Sequence, residues 1–432
     1  MTPDQITPAP GPVRVQLRPR PGRLGPLGLS RLVPTEAAAA LVLIGLTTGG
    51  TVLLGCGTVA AVLLALALPQ WNGLSPAEQL RARLLLRARR RRSAAYRVDL
   101  LTDPALVPLL ECDPALRTIQ HLVDPDAKAP AGRREHREIG MVGDGSFLTA
   151  VLQLEPPDQP LRPRRGAGSL PLELLGAALR VDDIVLDAIQ VVQYTQTSPA
   201  PHLPEQSLAA RGYRELPDGS GTPGLRLTWV GVRLDPELCP SAIAARGGGE
   251  AGARRALQRA VDQLAVRLAG AGLRATVLDR SGLTSAVATA ICANPLTVGS
   301  AAAPGHRTTE TVRAWRCDDR WHTSYWIAGW PRLTRTSGRG GPGDVMTGPD
   351  LVNLLTGASA LGSTFSLTVR QASGGAVALT GRLRITARGE RELEQATRQL
   401  ESRARSAGAL LVRLDHEQVP GVLATLPLGG SR

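Results

Sequence analysis

Lysine is almost missing from this 432-residue chain: among its 50 basic residues only Lys128 is one. A GxxxxGK[ST] phosphate loop cannot be written anywhere in it, and any Schiff-base mechanism would have to use Lys128. Aromatic residues are scarce as well, at 3%, with two Phe, four Tyr and six Trp. A net charge of +13 would otherwise invite a nucleic-acid partner. No basic stripe with interleaved aromatics runs through the body of the chain, so no nucleic acid is expected. The five cysteines, Cys56, Cys112, Cys239, Cys292 and Cys317, are odd in number and widely scattered. They fit neither a disulfide framework nor a CxxC zinc site, and reduced thiols in a cytoplasmic region are the expectation. The histidines show no HxxxH or HExxH spacing, and GxSxG and strand-borne GxGxxG motifs are also missing. No catalytic set, metal site or cofactor is therefore expected.

What the chain does have is concentrated near its start. Up to Arg97 there are 13 Arg against Asp4, Glu36 and Glu78, which places about +10 of the +13 there and leaves the rest nearly neutral. Between the arginine groups runs Ala37 to Leu68, 32 residues without a charge, where about 20 suffice to cross a bilayer. As one helix this stretch would be about 48 Å long, against a hydrocarbon core of ~30 Å; as two full spans it is short. Arg14, Arg18, Arg20, Arg23 and Arg31 precede it, and Arg81, Arg83, Arg87, Arg89, Arg90, Arg91 and Arg92 follow it. Cytoplasmic flanks collect arginine, so both sides are expected inside the cell and the crossings are even in number. The expectation is a transmembrane hairpin over residues 32–70, its helices spanning about 32–48 and 51–68. Gly49-Gly50 would form its turn, where the missing Cβ atoms permit a tight reversal, and Trp71 would sit at the membrane interface. A cleaved export signal is disfavoured: the apolar stretch is about twice the usual 7–15 residues and the densest arginine cluster follows it.

Residues 1–31, rich in Pro, Gly and Arg, read as a disordered basic tail. Residues 71–96 read as an arginine-rich juxtamembrane helix with Ser75 as N-cap and Pro76 at its first position. Its leucines Leu80, Leu84 and Leu85 share a side, and its arginines would contact anionic lipid; a plain stop-transfer flank is the other reading. Residues 97–138 form an expected helical connector, with Asp103 and Asp113 each opening an Asp-Pro-Ala-Leu helix start. From Ile139 onward the period changes to two, with a hairpin around Gly143-Asp144-Gly145, and strands and helices then alternate. A gap-free shift of 136 places Arg255–Thr289 on Arg391–Thr425 with about 12 identities in 35 positions, where this composition would give about three. Leu257/Leu393, Leu264/Leu400 and Ala271-Gly272/Ala407-Gly408 are among them. A mixed α/β (α+β) cytosolic region of two similar lobes, 139–300 and 301–432, follows.

The richest cluster of side chains is Ala314–Pro331, which holds four of the six Trp and has Asp318-Asp319 at its turn. Paired aspartates on a loop can hold a divalent cation for a sugar-nucleotide transferase, and Asp318, Asp319 and His322 form that alternative site. The other reading is a two-faced buried hairpin with an acidic corner. Trp321, Thr323, Tyr325 and Ile327 then share one face, and His322, Ser324 and Trp326 the other.

Four segments carry a family resemblance: VGDGSFLTAVLQLEP (Val142–Pro156), PHLPEQSLAARGY (Pro201–Tyr213), TWVGVRLDPELCPSAIAARGGG (Thr228–Gly249) and WHTSYWIAGWP (Trp321–Pro331). With the basic N-terminus and the hydrophobic hairpin, they resemble the EccE component of actinobacterial type VII secretion systems from Glu36 onward. The resemblance implies a non-catalytic structural subunit of the plasma-membrane secretion complex, with N-terminus and C-terminal region both cytoplasmic. Its implied partners are the other secretion subunits, the ATPase included, and anionic lipids. The alternative is a membrane-anchored glycosyltransferase-like enzyme, and a binding module for an envelope polymer is a third possibility.

Overall fold

The computed structural model describes residues 15–17, 23–24, 27–67, 76–97, 102–123, 137–155, 170–197, 223–295, 306–333, 346–357, 360–372 and 375–430, with a few isolated positions besides. Trp71, Ser75, most of the expected basic tail and the whole polar segment 124–136 lie outside the described residues. The chain divides into two compact units, Arg18–Ala94 and the remainder. The first strand, β1 (Val15–Leu17), belongs to the larger unit.

In the smaller unit, β2 (Arg23–Leu24) and β3 (Leu27–Gly28) pair ahead of α1 (Leu29–Thr48), α2 (Gly50–Ala67) and α3 (Pro76–Ala95). The chain reverses between α1 and α2 at Gly49 and Gly50, whose φ of +67° and +61° lies in the region that favours glycine. A Cβ at Gly45 would come within 3.2 Å of Cys56 Cβ and Leu53 Cδ1, so the absence of a side chain there lets the two helices approach closely. Among the described residues no helix is long and apolar enough to cross a membrane. The expected pair of spanning helices is therefore not supported among those residues.

The larger unit contains α4 (Val107–Cys112), β4 (Arg117–Val123), β5 (Arg137–Gly143), β6 (Leu148–Glu155), α5 (Leu172–Ala177), a two-residue hairpin of β7 (Arg180–Val181) with β8 (Ile184–Val185), β9 (Ala188–Thr197) and β10 (Pro223–Leu234). It continues with α6 (Pro240–Ala244), α7 (Gly249–Gly270), β11 (Arg274–Val277), α8 (Arg280–Ile291), β12 (Thr308–Glu310), β13 (Trp315–Cys317) and β14 (Arg320–Gly329). Then come α9 (Gly348–Thr356), β15 (Gly362–Gln371), β16 (Val377–Ala387), α10 (Glu390–Ser406), β17 (Leu410–Arg413) and α11 (Gln418–Leu423). Apart from the β2–β3 and β7–β8 pairs, the described strands form one 13-stranded sheet whose main path runs β12-β13-β14-β16-β15-β9-β10-β6-β5-β4. Pairing along that path is antiparallel; β1 joins β16 in parallel, β11 joins β6 and β17 joins β14.

The sheet is nearly mirrored in its order about the β9–β15 pair. On one side β6 pairs with β5 at Leu148–Ala150 and with β11 at Leu152–Glu155. On the other side β14 pairs with β13 at Arg320–His322 and with β17 at Tyr325–Gly329. Positions 136 apart make the same local contacts. The N–H groups of Leu273 and Ala409 donate to Leu268 and Ala404 at 3.0 and 2.8 Å. Gly272 and Gly408 end α7 and α10 with φ of +81° and +74°. Leu257, Leu264, Leu393 and Leu400 are all buried. The two expected lobes are thus halves of one continuous sheet, because β9 and β15 pair edge to edge from Ile189↔Val369 to Gln196↔Gly362.

Helices cover both faces of that sheet. On one, α7 packs Leu257, Val261 and Leu264 beside Ile189, Val230 and Val232, and α10 packs Leu393 and Leu400 beside Tyr325, Leu383 and Ile385. On the other, α4, α8 and α11 enclose Val151, Val192, Trp229 and Trp315. Burial on both faces is why polar strand residues such as Gln190, Ser366 and Thr386 lie inside. Of the two short helices expected in the connector, α4 follows Asp103, whereas a strand follows Asp113. Asp103 and Asp113 accept from the N–H groups two residues on, at 2.9 and 3.1 Å, forming turns instead of capping helices. Strand β4 follows the second turn and pairs with β5.

Candidate functional site

Of the side chains singled out in the sequence, the arginines of α3 stay on a surface. Arg81, Arg83, Arg87, Arg90, Arg91 and Arg92 are exposed and Arg89 is half-buried. Leu80, Leu84 and Leu85 are also outward, at 58%, 53% and 40% exposure, whereas Ala82 and Leu86 are buried. Leu80, Leu84, Arg87 and Arg91 follow one another at i+4 or i+3, so one stripe of the helix is apolar at its start and cationic at its end.

The corner of the β13–β14 hairpin has a different chemistry from the one its two aspartates suggest. Asp318 takes φ +50°, a left-handed conformation that Asp tolerates. Its carboxylate is clamped: Arg307 Nε donates to Oδ1 at 2.8 Å and Nη2 to Oδ2 at 2.6 Å, and the Asn294 N–H donates to Oδ2 at 2.9 Å. Both side chains of this pair are nearly buried, at 8% and 5% exposure. Burial pushes the Arg307 guanidinium down, Asp318 more than offsets this, and the net shift is upward. Glu111, 2% exposed, completes the support by accepting from the N–H groups of Arg307 and Thr308 at 2.9 and 2.7 Å. Asp319 is open to solvent and, among the described residues, meets Asn294 Nδ2 and Arg320 at 3.2 and 3.3 Å.

His322 does not join the two aspartates. It lies fully buried on the second face, Nδ1 3.0 Å from Thr386 Oγ1, with its ring 4.9 Å from that of Trp315. Burial, with Arg384 and Arg320 nearby, pushes its imidazole well below the usual histidine range, so it is neutral at pH 7. Tyr325 and Ile327 occupy the opposite face, and Trp321 packs beside them. Among the described residues no group of three or more His, Cys, Asp or Glu side chains is placed to hold a metal ion. The supporting residues Glu111, Asn294 and Arg307 could not be read from the sequence. Glu111 is separated from its partners by 196 and 197 positions, and no motif links them.

Residues 222–327, from β10 to β14, match the family model described as "Putative type VII ESX secretion system translocon, EccE". Over that range the chain is similar to the EccE family, and the resemblance read from the sequence is matched there. No curated protein matches the chain.

Proposed function

We propose that the chain is a membrane-anchored, non-catalytic structural subunit of a type VII secretion complex, supporting its assembly alongside the other membrane subunits, the ATPase included. The match of residues 222–327 to the EccE translocon family carries this reading. In it, the α1–α2 hairpin enters the bilayer as a pair. Leu43, Ile44, Leu46, Leu54, Val59 and Val62 all point outward at 51–72% exposure, and buried packing elsewhere in the hairpin is tight at Gly45. Such apolar exteriors fit a lipid environment, and the arginines of α3, with Trp71, fit the anionic cytoplasmic surface. Both flanks of the hairpin, and the sheet body with them, lie in the cytoplasm. The enzyme alternative loses its chemistry at the Asp318 corner, since Arg307 occupies the carboxylate that would have bound a cation.

The test is purification of the complex from native membranes through a tag on the full chain. Stable co-purification of an ATPase and other channel subunits, with loss of secretion on deletion, is expected. A chain that purifies alone while secretion continues without it would overturn the proposal. Reporters fused after Arg14 and after Arg97 should both be active only inside the cell; an external signal at Arg97 would mean a single crossing.

A further inference from the structure

The most unusual buried group is Arg384, in the middle of β16. Its side chain is 0% exposed and lies on the second face of the sheet, where Ala290 near the end of α8 covers it. Of the five N–H donors of a guanidinium, only those of Nη2 are used, toward the Ala290 carbonyl and Thr364 Oγ1. Nε and Nη1 have no partner among the described residues, which leaves three N–H donors unmet in the interior. The other buried arginine of the sheet is treated differently: Arg233 pairs with Asp187 at 3.1 Å, donates to the Gly430 carbonyl and lies over the Phe147 ring.

Among the described residues no carboxylate pairs with Arg384. The acidic groups around it are the Tyr194 phenol and the thiols of Cys292, Cys317 and Cys112. Tyr194 O–H and Cys292 Sγ are 3.8 Å apart, and Cys292 Sγ is 3.8 Å from Thr386 Oγ1, which in turn meets His322 Nδ1. The Nε2 atom of His322 is buried and unpartnered as well. Burial pushes the Tyr194 phenol and the Cys317 thiol up and the His322 imidazole down, so all three are neutral at pH 7. A buried cation beside neutral donors is strongly destabilised unless a countercharge reaches it.

We propose that the unmet Nε and Nη1 donors of Arg384, on the second face of β16, bind one small monovalent anion of the halide class. One uncompensated guanidinium calls for one negative charge. The donors left unmet, the N–H groups of Arg384 Nε and Nη1, suit a spherical anion rather than a metal cation, whereas the Tyr194 O–H is directed at Gln196 Oε1 at 3.4 Å. Arg320, whose side chain is 14% exposed and paired with Asp319, adds positive potential from the neighbouring strand. Cys292, half-buried and in a left-handed conformation at φ +58°, closes the end of α8 beside the site.

The test uses the full chain in detergent micelles, titrated with sodium chloride against sodium gluconate at constant ionic strength while thermal unfolding is followed. Chloride should raise Tm in a saturable way and gluconate should not. In Arg384→Leu the chloride dependence should vanish. Crystals soaked in bromide should show anomalous scattering within hydrogen-bond reach of Arg384 Nε or Nη1. Equal Tm in chloride and gluconate would overturn the proposal, as would water in place of bromide at those donors. So would a thiolate ultraviolet band that disappears in Cys292→Ser, since the protein would then supply its own countercharge.

Discussion

Replacing Asp318 by Asn separates a structural corner from an incidental one. The substitution keeps the size of the side chain and a residue type that accepts the left-handed backbone, so strain does not confound the result. What it removes is the charge facing Arg307, in a pair of which only 8% and 5% of the side chains are exposed. Breaking a buried pair from one side destabilises by about 3–5 kcal/mol, because the remaining charge is left without its partner. Arg307 keeps its bond to the Pro104 carbonyl, which argues for the lower end, about 3 kcal/mol. Asp319→Asn next door alters a half-exposed side chain and should stay within about 0.5 kcal/mol. Arg307→Met combined with Asp318→Asn removes both charges and should recover much of the loss. Urea unfolding of the full chain, followed by fluorescence of the buried Trp315 and Trp326, measures all four proteins on one scale. If Asp318→Asn is as mild as Asp319→Asn, or if the double variant is no better than the single one, the corner is not held by this pair.

The equivalence of the two sheet halves predicts that Leu264→Ala and Leu400→Ala, at 1% and 0% exposure, each destabilise by about 2–5 kcal/mol. A harmless result at one position, by the same urea assay, would break the equivalence. Gly140→Ala should lower Tm clearly, because a Cβ there would stand 2.4 Å from the Asp279 carbonyl oxygen and 2.8 Å from Arg280 Cα; unchanged stability would mean that α8 can shift away from β5. His322 predicts a pH dependence. Its folded pKa is depressed by burial and by Arg384 and Arg320, so below about pH 6.5 the unfolded chain takes up a proton that the folded one refuses. The stability this group contributes is present above that pH and is lost as pH falls, by up to about 1.4 kcal/mol per unit. Comparing unfolding of the wild type with His322→Gln between pH 7 and pH 5 checks this, and parallel curves would refute it.

Several elements were legible in the order of residues because the information is local. Asp144-Gly145 between two period-two runs marks the β5–β6 hairpin, where Asp144 accepts from the Ser146 N–H at 2.8 Å and Gly145 has φ +93°. The helical spacing of Leu257, Val261, Leu264 and Leu268 marks α7, and the Ala-Gly stops at 271–272 and 407–408 mark two helix ends. Alternation in Trp321–Ile327 separated the two faces of β14 before any partner was known.

Pairing across the chain was not legible, because strand order is set by which edges meet and no single segment encodes its neighbour. The union of two repeats through β9 and β15 joins residues more than 160 positions apart, which turned two expected lobes into one sheet. The Asp113 turn, read as a helix start, became the entry to β4 because β5 offered an edge to it. Charge followed the same rule. Arg384 and Arg382 alternate with Leu383 and Ile385, a pattern that by itself describes a strand with one wet face. Only the packing of α8 and α11 over that face made it interior, and so made Arg384 and Asp318 buried charges whose partners decide what each can do. Composition and period belong to the sequence; burial, and with it the chemistry of every polar group on the second face, is a property of the assembled sheet.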